Sequence, residues 1–419
     1  MSLWKHADFL KLWIGQTISL FGSQITFLAL ALVAVEQLNA SPAQMGLLAA
    51  LATLPNLLIA PVVGVWVDRL HRRPLLIGAD IGRALLLATI PVAALLGQLR
   101  IEQLYLVTLL SGTFSLLFNV AEEALLPSLL RREQLVEGNS RLALSTALSD
   151  IAGPALAGSL VQLLTAPVAI VVDAFSFLLS ALFLGAIRTP ESAPPPADEH
   201  PPVWKAAREG LHLVLRHPLL RPMVAESATR EFCGGMYDAL LILYLTRELQ
   251  LPPAAIGLVY AVGSLSGLTA TLLAPRATQR VGPGPAMVVS SLLIGLGWLF
   301  VPLASGGPLL AFVMIAFGAV LFGVGNTTNN IVASSLSQSV TPDDMLGRVN
   351  ASQTFLVGGM LPIGSLVAGG LATLFGLRPV LLVAGLGLSS AFLWLFFSPI
   401  RGLKVLPAVI EEDVVKRKT

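Results

Sequence analysis

Gly64-Val65-Trp66-Val67-Asp68-Arg69-Leu70-His71-Arg72-Arg73 is the stretch on which the fold turns. It lies where one long apolar run, near residues 43–67, gives way to another, near 74–97. A run of about 20 apolar residues is the length of a membrane-crossing helix, so the stretch reads as a tight turn between two spans. Its three arginines fit a loop held on the cytoplasmic side, where Lys and Arg accumulate. Gly64 and Asp68 have no such topological reason to be there. They point to a mechanical role for the loop.

The rest of the chain agrees with a membrane setting. Of 419 residues, 55% are hydrophobic and only 12% charged, and the mean hydropathy is +0.80. Soluble domains carry about 25% charged residues. Half that leaves too little polar surface to cover a globule in water, so lipid is the expected solvent. Twelve apolar runs are separated by charge, Pro or Gly, near 10–36, 43–67, 74–97, 102–127, 138–163, 167–187, 219–246, 254–277, 284–304, 308–334, 346–374 and 377–398. All are expected to be helices, because an open sheet leaves its backbone groups unsatisfied in lipid. The first run is too long for the apolar core of a cleavable leader and is expected to direct insertion itself.

Arg188–Pro202 (RTPESAPPPADEHPP) is Pro-rich and polar and divides six spans from six. The expected organisation is a first six-helix bundle over 1–187, a cytoplasmic linker over 188–217, a second bundle over 218–400 and a tail over 401–419. Within the linker, Trp204, Ala207, Leu211, Val214 and Leu215 recur at helical spacing. This reads equally as a helix lying on the membrane or one packed on the protein. The two halves repeat: Pro42-Ala43-Gln44-Met45-Gly46 aligns with Pro253-Ala254-Ala255-Ile256-Gly257, and the same offset pairs Arg69 with Arg280 and Asn119 with Asn330. In the second copy Gln279 stands at the place of Asp68 and Pro275 at that of Gly64. Parallel repeats of this kind relate the two halves of many transporters.

One alternate set of loops holds Arg69, Arg72, Arg73, Arg131, Arg132, Arg276, Arg280 and Arg348, against Arg100, Arg247 and Arg378 in the other. Both termini are therefore expected in the cytoplasm. The single cysteine, Cys233, excludes an internal disulfide. The five histidines all fall outside the spans. No phosphate-binding loop, nucleophile elbow or zinc-ligand spacing occurs, and no basic-aromatic pattern points to nucleic acid. Neither enzyme activity nor a cofactor or metal is expected.

Further strings recur in order: Phe9, Leu12, Trp13, Gly15, Gln16, Ser19 and Gly22 in span 1; Leu126, Pro127, Leu129, Leu135, Asn139 and Ser140 after span 4; Gly153-Pro154-Ala155-Leu156-Ala157-Gly158 in span 5; and Pro342 to Val349 before span 11. With the opening stretch, this set resembles the major facilitator superfamily of secondary transporters. Within it, the set is similar to the bacterial branch holding macrolide efflux proteins and the enterobactin exporter. The resemblance implies an all-α membrane protein of twelve transmembrane helices in two pseudo-symmetric six-helix bundles. It implies alternating access and export driven by a proton gradient. It also places Asp68 near the start of span 11, whose free N–H groups favour a carboxylate. Two departures stand out. Span 4 lacks the mid-helix arginine of many proton-coupled exporters, and Ala157 replaces the first of the paired glycines in span 5.

The candidate gating set is Gly64, Asp68, Arg69, Arg72, Arg73, Glu122, Glu123 and Arg348, with Arg72 and Arg73 able to pair with Glu122 or Glu123. Ionisable groups inside spans are functional candidates by default. Asp238, Glu231, Asp150 and Asp173 are the candidate proton carriers. Asp80 and Arg83, spaced i, i+3, are able simply to neutralise each other. Gln16, Gln24, Asn119, Phe118, Tyr237, Asn326, Asn330 and Gln353 are candidates for a cavity mixing amide and apolar groups. Gly153, Pro154 and Gly158 are candidates for close helix packing. The expected function is export of a small amphipathic molecule, such as a macrolide-like drug or a siderophore, by proton antiport from a monomer in the bacterial inner membrane. An importer or lipid-moving member of the same superfamily is one alternative, and a non-transporting sensor or scaffold is another.

Overall fold

Helix starts are written into the sequence. Ser41 and Gln44 form a reciprocal capping box, with Pro42 at the first helical position, where a missing N–H costs nothing. Proline likewise stands in the first turn of later helices, at Pro167, Pro283 and Pro308. The computed structural model describes residues 3, 6–59, 63, 67, 70–189, 203–342 and 345–407, with the backbone alone over 203–209. Its helices are α1 (Ala7–Leu32, continued by a π turn over Val33–Gln37), α2 (Pro42–Leu58), α3 (Arg72–Leu95), α4 (Ile101–Leu129), α5 (Leu135–Leu164) and α6 (Ala166–Gly185). After the linker come α7 (Val203–Arg216), α8 (Leu220–Arg247), α9 (Pro253–Val281), α10 (Pro283–Leu303) and α11 (Pro308–Val340). The chain ends in α12 (Leu346–Gly358), α13 (Met360–Phe375), α14 (Leu377–Ser390) and α15 (Phe392–Phe396).

Ten helices among the described residues are long and apolar enough to cross a membrane, counting α12 with α13 and α14 with α15 as one each. Two more complete the expected twelve. α2 is apolar but described only to Leu58, and α8 carries Arg221, Glu226, Arg230, Glu231, Asp238 and Arg247, which lowers its hydropathy. The chain is a multi-pass, all-helical membrane protein. The interruption between α12 and α13 has a local cause. Pro362 has no N–H to return to the carbonyl of Gly358, so the helical ladder loses a bond there.

The surfaces show lipid as the solvent. On α6, Ala169, Ile170 and Phe177 are buried while Phe175 and Leu182 are 60% and 69% exposed. A helix apolar on every side has no stable place at a water boundary.

By backbone contacts the chain divides into two units, and they do not follow the chain order. The first comprises Met1–Glu199, Asp238–Ser264 and Ser365–Leu377. There α6 packs between α1 and α3, and α1 also lies along α5. One core joins Phe9, Leu12, Leu76, Phe118, Leu125 and Leu184. The second comprises His200–Tyr237, Leu265–Gly364 and Arg378–Thr419. There α10 lies along α11, and α7 lies along α12. Val214 of α7 is fully buried in a core with Met223, Met287, Leu336, Val349 and Leu395. A Cβ at Gly210 would overlap the Arg348 carbonyl. The linker helix is thus packed on protein along this face.

Candidate functional site

Within the first unit, helices from both halves of the sequence meet backbone to backbone. A Cβ built on Gly46 of α2 would lie 2.6 Å from the Ser365 carbonyl oxygen and 2.9 Å from Cα of Gly369 in α13. A Cβ on Gly369 would in turn lie 2.8 Å from the Pro42 oxygen. The second contact repeats the first. A Cβ on Gly158 of α5 would lie 2.9 Å from the Pro253 carbonyl carbon and 3.0 Å from Cα of Ala254, and one on Gly257 would lie 2.9 Å from the carbonyl carbon of Pro154. The internal repeat that pairs Gly46 with Gly257 also pairs Gly158 with Gly369. The four glycines therefore form two pseudo-symmetric clasps, α2 on α13 and α5 on α9. Gln162 strengthens the second, accepting the Ala254 N–H at 3.2 Å at the start of α9. Phe27 and Tyr260 meet edge to face at 5.8 Å. Small residues at such crossings let helices approach without a hydrophobic drive from water.

Deeper in the same unit lies a buried charge cluster. Asp80 and Arg83 of α3 form an ion pair, both almost fully buried. The Arg83 guanidinium lies between the rings of Phe118 and Phe177, 4.6 and 4.1 Å from their centroids. It is also 3.5 Å from Ser115 Oγ. Glu122 of α4 is buried and accepts the Gln16 amide of α1 at 2.5 Å. Asp173 of α6 is 1% exposed and accepts the Ser176 hydroxyl at 2.9 Å. Its carboxylate and Ser176 occupy the space where Gly22 has no Cβ. Both Glu122 and Asp173 interact electrostatically with Arg83. Three helices, α3, α4 and α6, thus bring three carboxyls around one guanidinium.

The second unit carries a smaller cluster. Glu226 of α8 is fully buried and accepts the Ser291 hydroxyl of α10 at 2.7 Å. Arg230 donates to Asn326 of α11 at 2.7 Å and lies 3.7 Å from Glu231.

Of the residues expected from sequence to gate, Gly64, Asp68 and Arg69 lie outside the described residues. Arg73 is described: its Nε donates to the Leu184 carbonyl at 2.9 Å and its Nη2 to that of Gly185. A cation on the last carbonyls of α6 is favoured by the helix dipole. Glu122 faces Gln16 inside the bundle, whereas Glu123 is exposed. Arg348 contacts the Met345 sulfur at 3.5 Å.

The four expected proton carriers fall in different places. Asp173 joins the buried cluster. Asp150 is exposed and accepts from Gln24 at 2.7 Å. Glu231 neighbours Arg230, and Asp238 is exposed. Among the expected cavity residues, Asn119 and Asn330 are exposed and Phe118 is buried on Arg83. Gln353 is 3.5 Å from Ser337 Oγ. The core of the second unit takes up Tyr237: fully buried, it stacks on Trp298 at 4.4 Å with its hydroxyl 2.8 Å from the Leu381 carbonyl. Gly153 makes room for Gln24, whose Cβ lies 2.6 Å from where a Cβ would sit. Sequence reasoning left out Ser291, Ser176 and the partners of the glycine clasps. The repeat alone would have found Gly369, by carrying Gly158 across.

A family model described as the Major Facilitator Superfamily matches residues 12–364. The chain is 28% identical over 346 residues to YfiS of Bacillus subtilis (strain 168), described as an uncharacterized MFS-type transporter, covering 80% of this chain and 79% of that protein. It is 26% identical over 390 residues to the enterobactin exporter EntS of Citrobacter koseri, covering 91% and 89%. Among solved structures, the nucleoside transporter NupG superposes with a TM-score of 0.73 at 15% identity, covering 93% of this chain and 99% of that one. A bacterial homologue of the iron transporter ferroportin, in its inward-facing state, superposes with a TM-score of 0.73 at 18% identity over 94% and 100%.

Proposed function

The chain belongs to the major facilitator superfamily, and from that premise we propose that it exports a small amphipathic molecule by alternating access, in exchange for protons. The observation that carries the alternating-access part is the pair of glycine clasps. Both join helices of the first half to helices of the second at one end of the bundle. Both rest on backbone contact and small residues, with no salt bridge among the contacts described at the four glycines. Such a contact closes tightly and opens at small cost. With the termini in the cytoplasm, as the arginine placement supports, the clasped end faces outward. Asp68, on the strength of the family resemblance, is taken as the latch that favours the other state.

Outward direction rests on the kinship with the enterobactin exporter over most of both chains. Each of the amide side chains Gln16, Gln24, Asn119, Asn326, Asn330 and Gln353 is proposed as a group able to meet the polar face of a drug- or siderophore-like molecule. The protein is proposed to work as a monomer in the bacterial inner membrane, with Asp173, Asp150, Glu231 and Asp238 as the carboxyls available for proton exchange.

The test combines a growth screen with vesicle transport. Cells expressing the protein are challenged with a panel of toxic amphipathic compounds. The protected compound is then labelled and offered to inside-out and right-side-out vesicles. Proton-driven uptake confined to inside-out vesicles is expected. Uptake confined to right-side-out vesicles would replace export by import. Folded protein that moves none of the panel would favour the sensor reading. Asp68→Asn is expected to cut flux severalfold while leaving expression and binding intact; undiminished flux would reject the latch.

A further inference from the structure

We propose that the buried cluster of Asp80, Arg83, Glu122 and Asp173 is a two-proton binding site, with the protons on Glu122 and Asp173. This rests on the antiport reading and names the place where the exchanged protons sit. The argument is charge balance at depth. If every carboxyl were ionised, the cluster would hold three negative charges and one positive. Each unpaired buried ion costs several kcal/mol, even after relaxation, and proteins neutralise such groups rather than bear that cost.

The geometry decides which acids are neutral. Arg83 is committed to Asp80, and its guanidinium carbon lies over the rings of Phe118 and Phe177. The other two acids have neutral donors: the Gln16 amide for Glu122 and the Ser176 hydroxyl for Asp173. Among the described residues, Glu122 Oε1, Asp173 Oδ2 and Asp80 Oδ2 have no hydrogen-bond partner and no solvent contact, and of the three acids only Asp80 has Arg83 on its other oxygen. A carboxylate oxygen in that position is unsatisfied, whereas a carboxylic acid is the electrically neutral form that tolerates it. The charged groups facing the two acids are Asp80 and Arg83 from α3 and Glu123 beside Glu122 on α4. Glu123 is exposed. Each acid discharges as a simple dissociation, carboxyl to carboxylate plus a released proton, once the helices part and water reaches it. The recharged acids then restore the dry packing.

Infrared difference spectroscopy on the full chain in lipid reads protonated buried carboxyls directly through their C=O stretch and its shift in deuterated water. Glu122→Gln and Asp173→Asn are near-isosteric with the neutral acids. Each is expected to lose one component of the wild-type band and to keep or raise the melting temperature. Asp80→Asn removes the ionised partner of Arg83, so it is expected to melt lower and keep the band. In vesicles, both amide variants are expected to lose the pH dependence of flux. Persistence of the full band in both variants would overturn the site. So would a fall in melting temperature for both equal to that of Asp80→Asn, since ionised acids would then have been lost. A wild-type flux indifferent to a proton gradient would overturn antiport alone, and the bands would still decide the site.

Discussion

Gly46→Ala and Gly158→Ala are the sharpest probes of how this protein moves. At Gly46 the added methyl would meet the Ser365 oxygen at 2.6 Å and the Gly369 Cα at 2.9 Å. Carbon atoms prefer about 3.5–4.0 Å, so α2 and α13 must separate by roughly half an ångström or more. Neither contact is a side chain that rotates away; both are backbone. Overpacking of this kind costs about 1–3 kcal/mol. The cost falls only on the conformation in which this end is closed. As a shift between two states, that range corresponds to about 5- to 150-fold.

Alanine also raises helix propensity over glycine, by about 1 kcal/mol. That gain applies to both conformations and cancels from the equilibrium between them. Thermal stability should therefore hold or rise while the conformational balance moves, a combination that a simple packing defect does not produce. Spin labels at the exposed Gln37 and Leu374, both in the first unit, report the separation of the α2 and α13 ends. The longer distance is expected to gain population in Gly46→Ala, with a matching fall in flux. A distance distribution unchanged in both Gly46→Ala and Gly158→Ala would refute the clasp as the moving contact.

Other outcomes follow from single sites. Cys233 is 6% exposed, with its sulfur 2.6 Å from where a Cβ of Gly387 would lie; a water-soluble maleimide is expected to label it only after denaturation, and rapid labelling of the folded protein would place it elsewhere. Gly387→Ala forces that sulfur aside and is expected to cost about 1–3 kcal/mol in a melting experiment. His217 accepts the N–H groups of Leu219 and Leu220 through Nδ1, at 3.2 and 3.4 Å, to start α8. Burial holds its imidazole below the usual histidine range, so the unfolded chain takes up a proton first as pH falls. Its contribution is full above about pH 6.5 and is lost on acidification. His217→Asn, which caps without titrating, is expected to flatten the fall of stability between about pH 7 and 5.

Much of this architecture was legible because membrane spans are written in composition. Among the described residues, ten of the apolar runs separated by charge, Pro or Gly became helices long and apolar enough to cross a membrane. Two features needed the third dimension. Asp80 and Arg83 are neighbours by helical spacing, and sequence accounts for them as a neutral pair. Nothing local says that Glu122 and Asp173 converge on the same guanidinium, since that depends on how α1, α4 and α6 pack around α3. The glycine clasps were half visible. The repeat matched Gly46 to Gly257, but their partners lie in α13 and α5, far away along the chain. Asp238 shows what residue number leaves open. Depth along a helix follows from residue number, whereas the direction a side chain faces does not, and this one is exposed.

The repeat exposes an asymmetry that sets the last prediction. The register that pairs Asn119 with Asn330 also lays Asp80 on Ser291, Gly15 on Glu226, Ser115 on Asn326 and Ser19 on Arg230. In each unit an arginine reaches the equivalent residue, Arg83 to Ser115 and Arg230 to Asn326. It comes from α3 in one and from α8, the counterpart of α1, in the other. The acid has moved with it, from Asp80 of α3 to Glu226 of α8, and Ser291 stands at the place of Asp80. What persists is a charge pair at one depth, supplied from either side of the same helix contact. The surroundings differ. Arg83 is 6% exposed at its side chain and faces three buried acids, whereas Arg230 is 15% exposed and Glu231 beside it is 29% exposed. Breaking a buried pair by removing one partner costs about 3–5 kcal/mol, and Arg83→Gln is expected to lose that much. Arg230→Gln loses a charge-assisted bond to an amide, Glu231 can rehydrate and the buried Glu226 keeps the Ser291 hydroxyl, so about 1.5–3 kcal/mol is expected. Protonation of the freed Asp80 should narrow the gap as pH falls. Equal losses for the two variants at neutral pH, or a gap that widens in acid, would show that Arg83 does not serve Asp80 as its counter-ion.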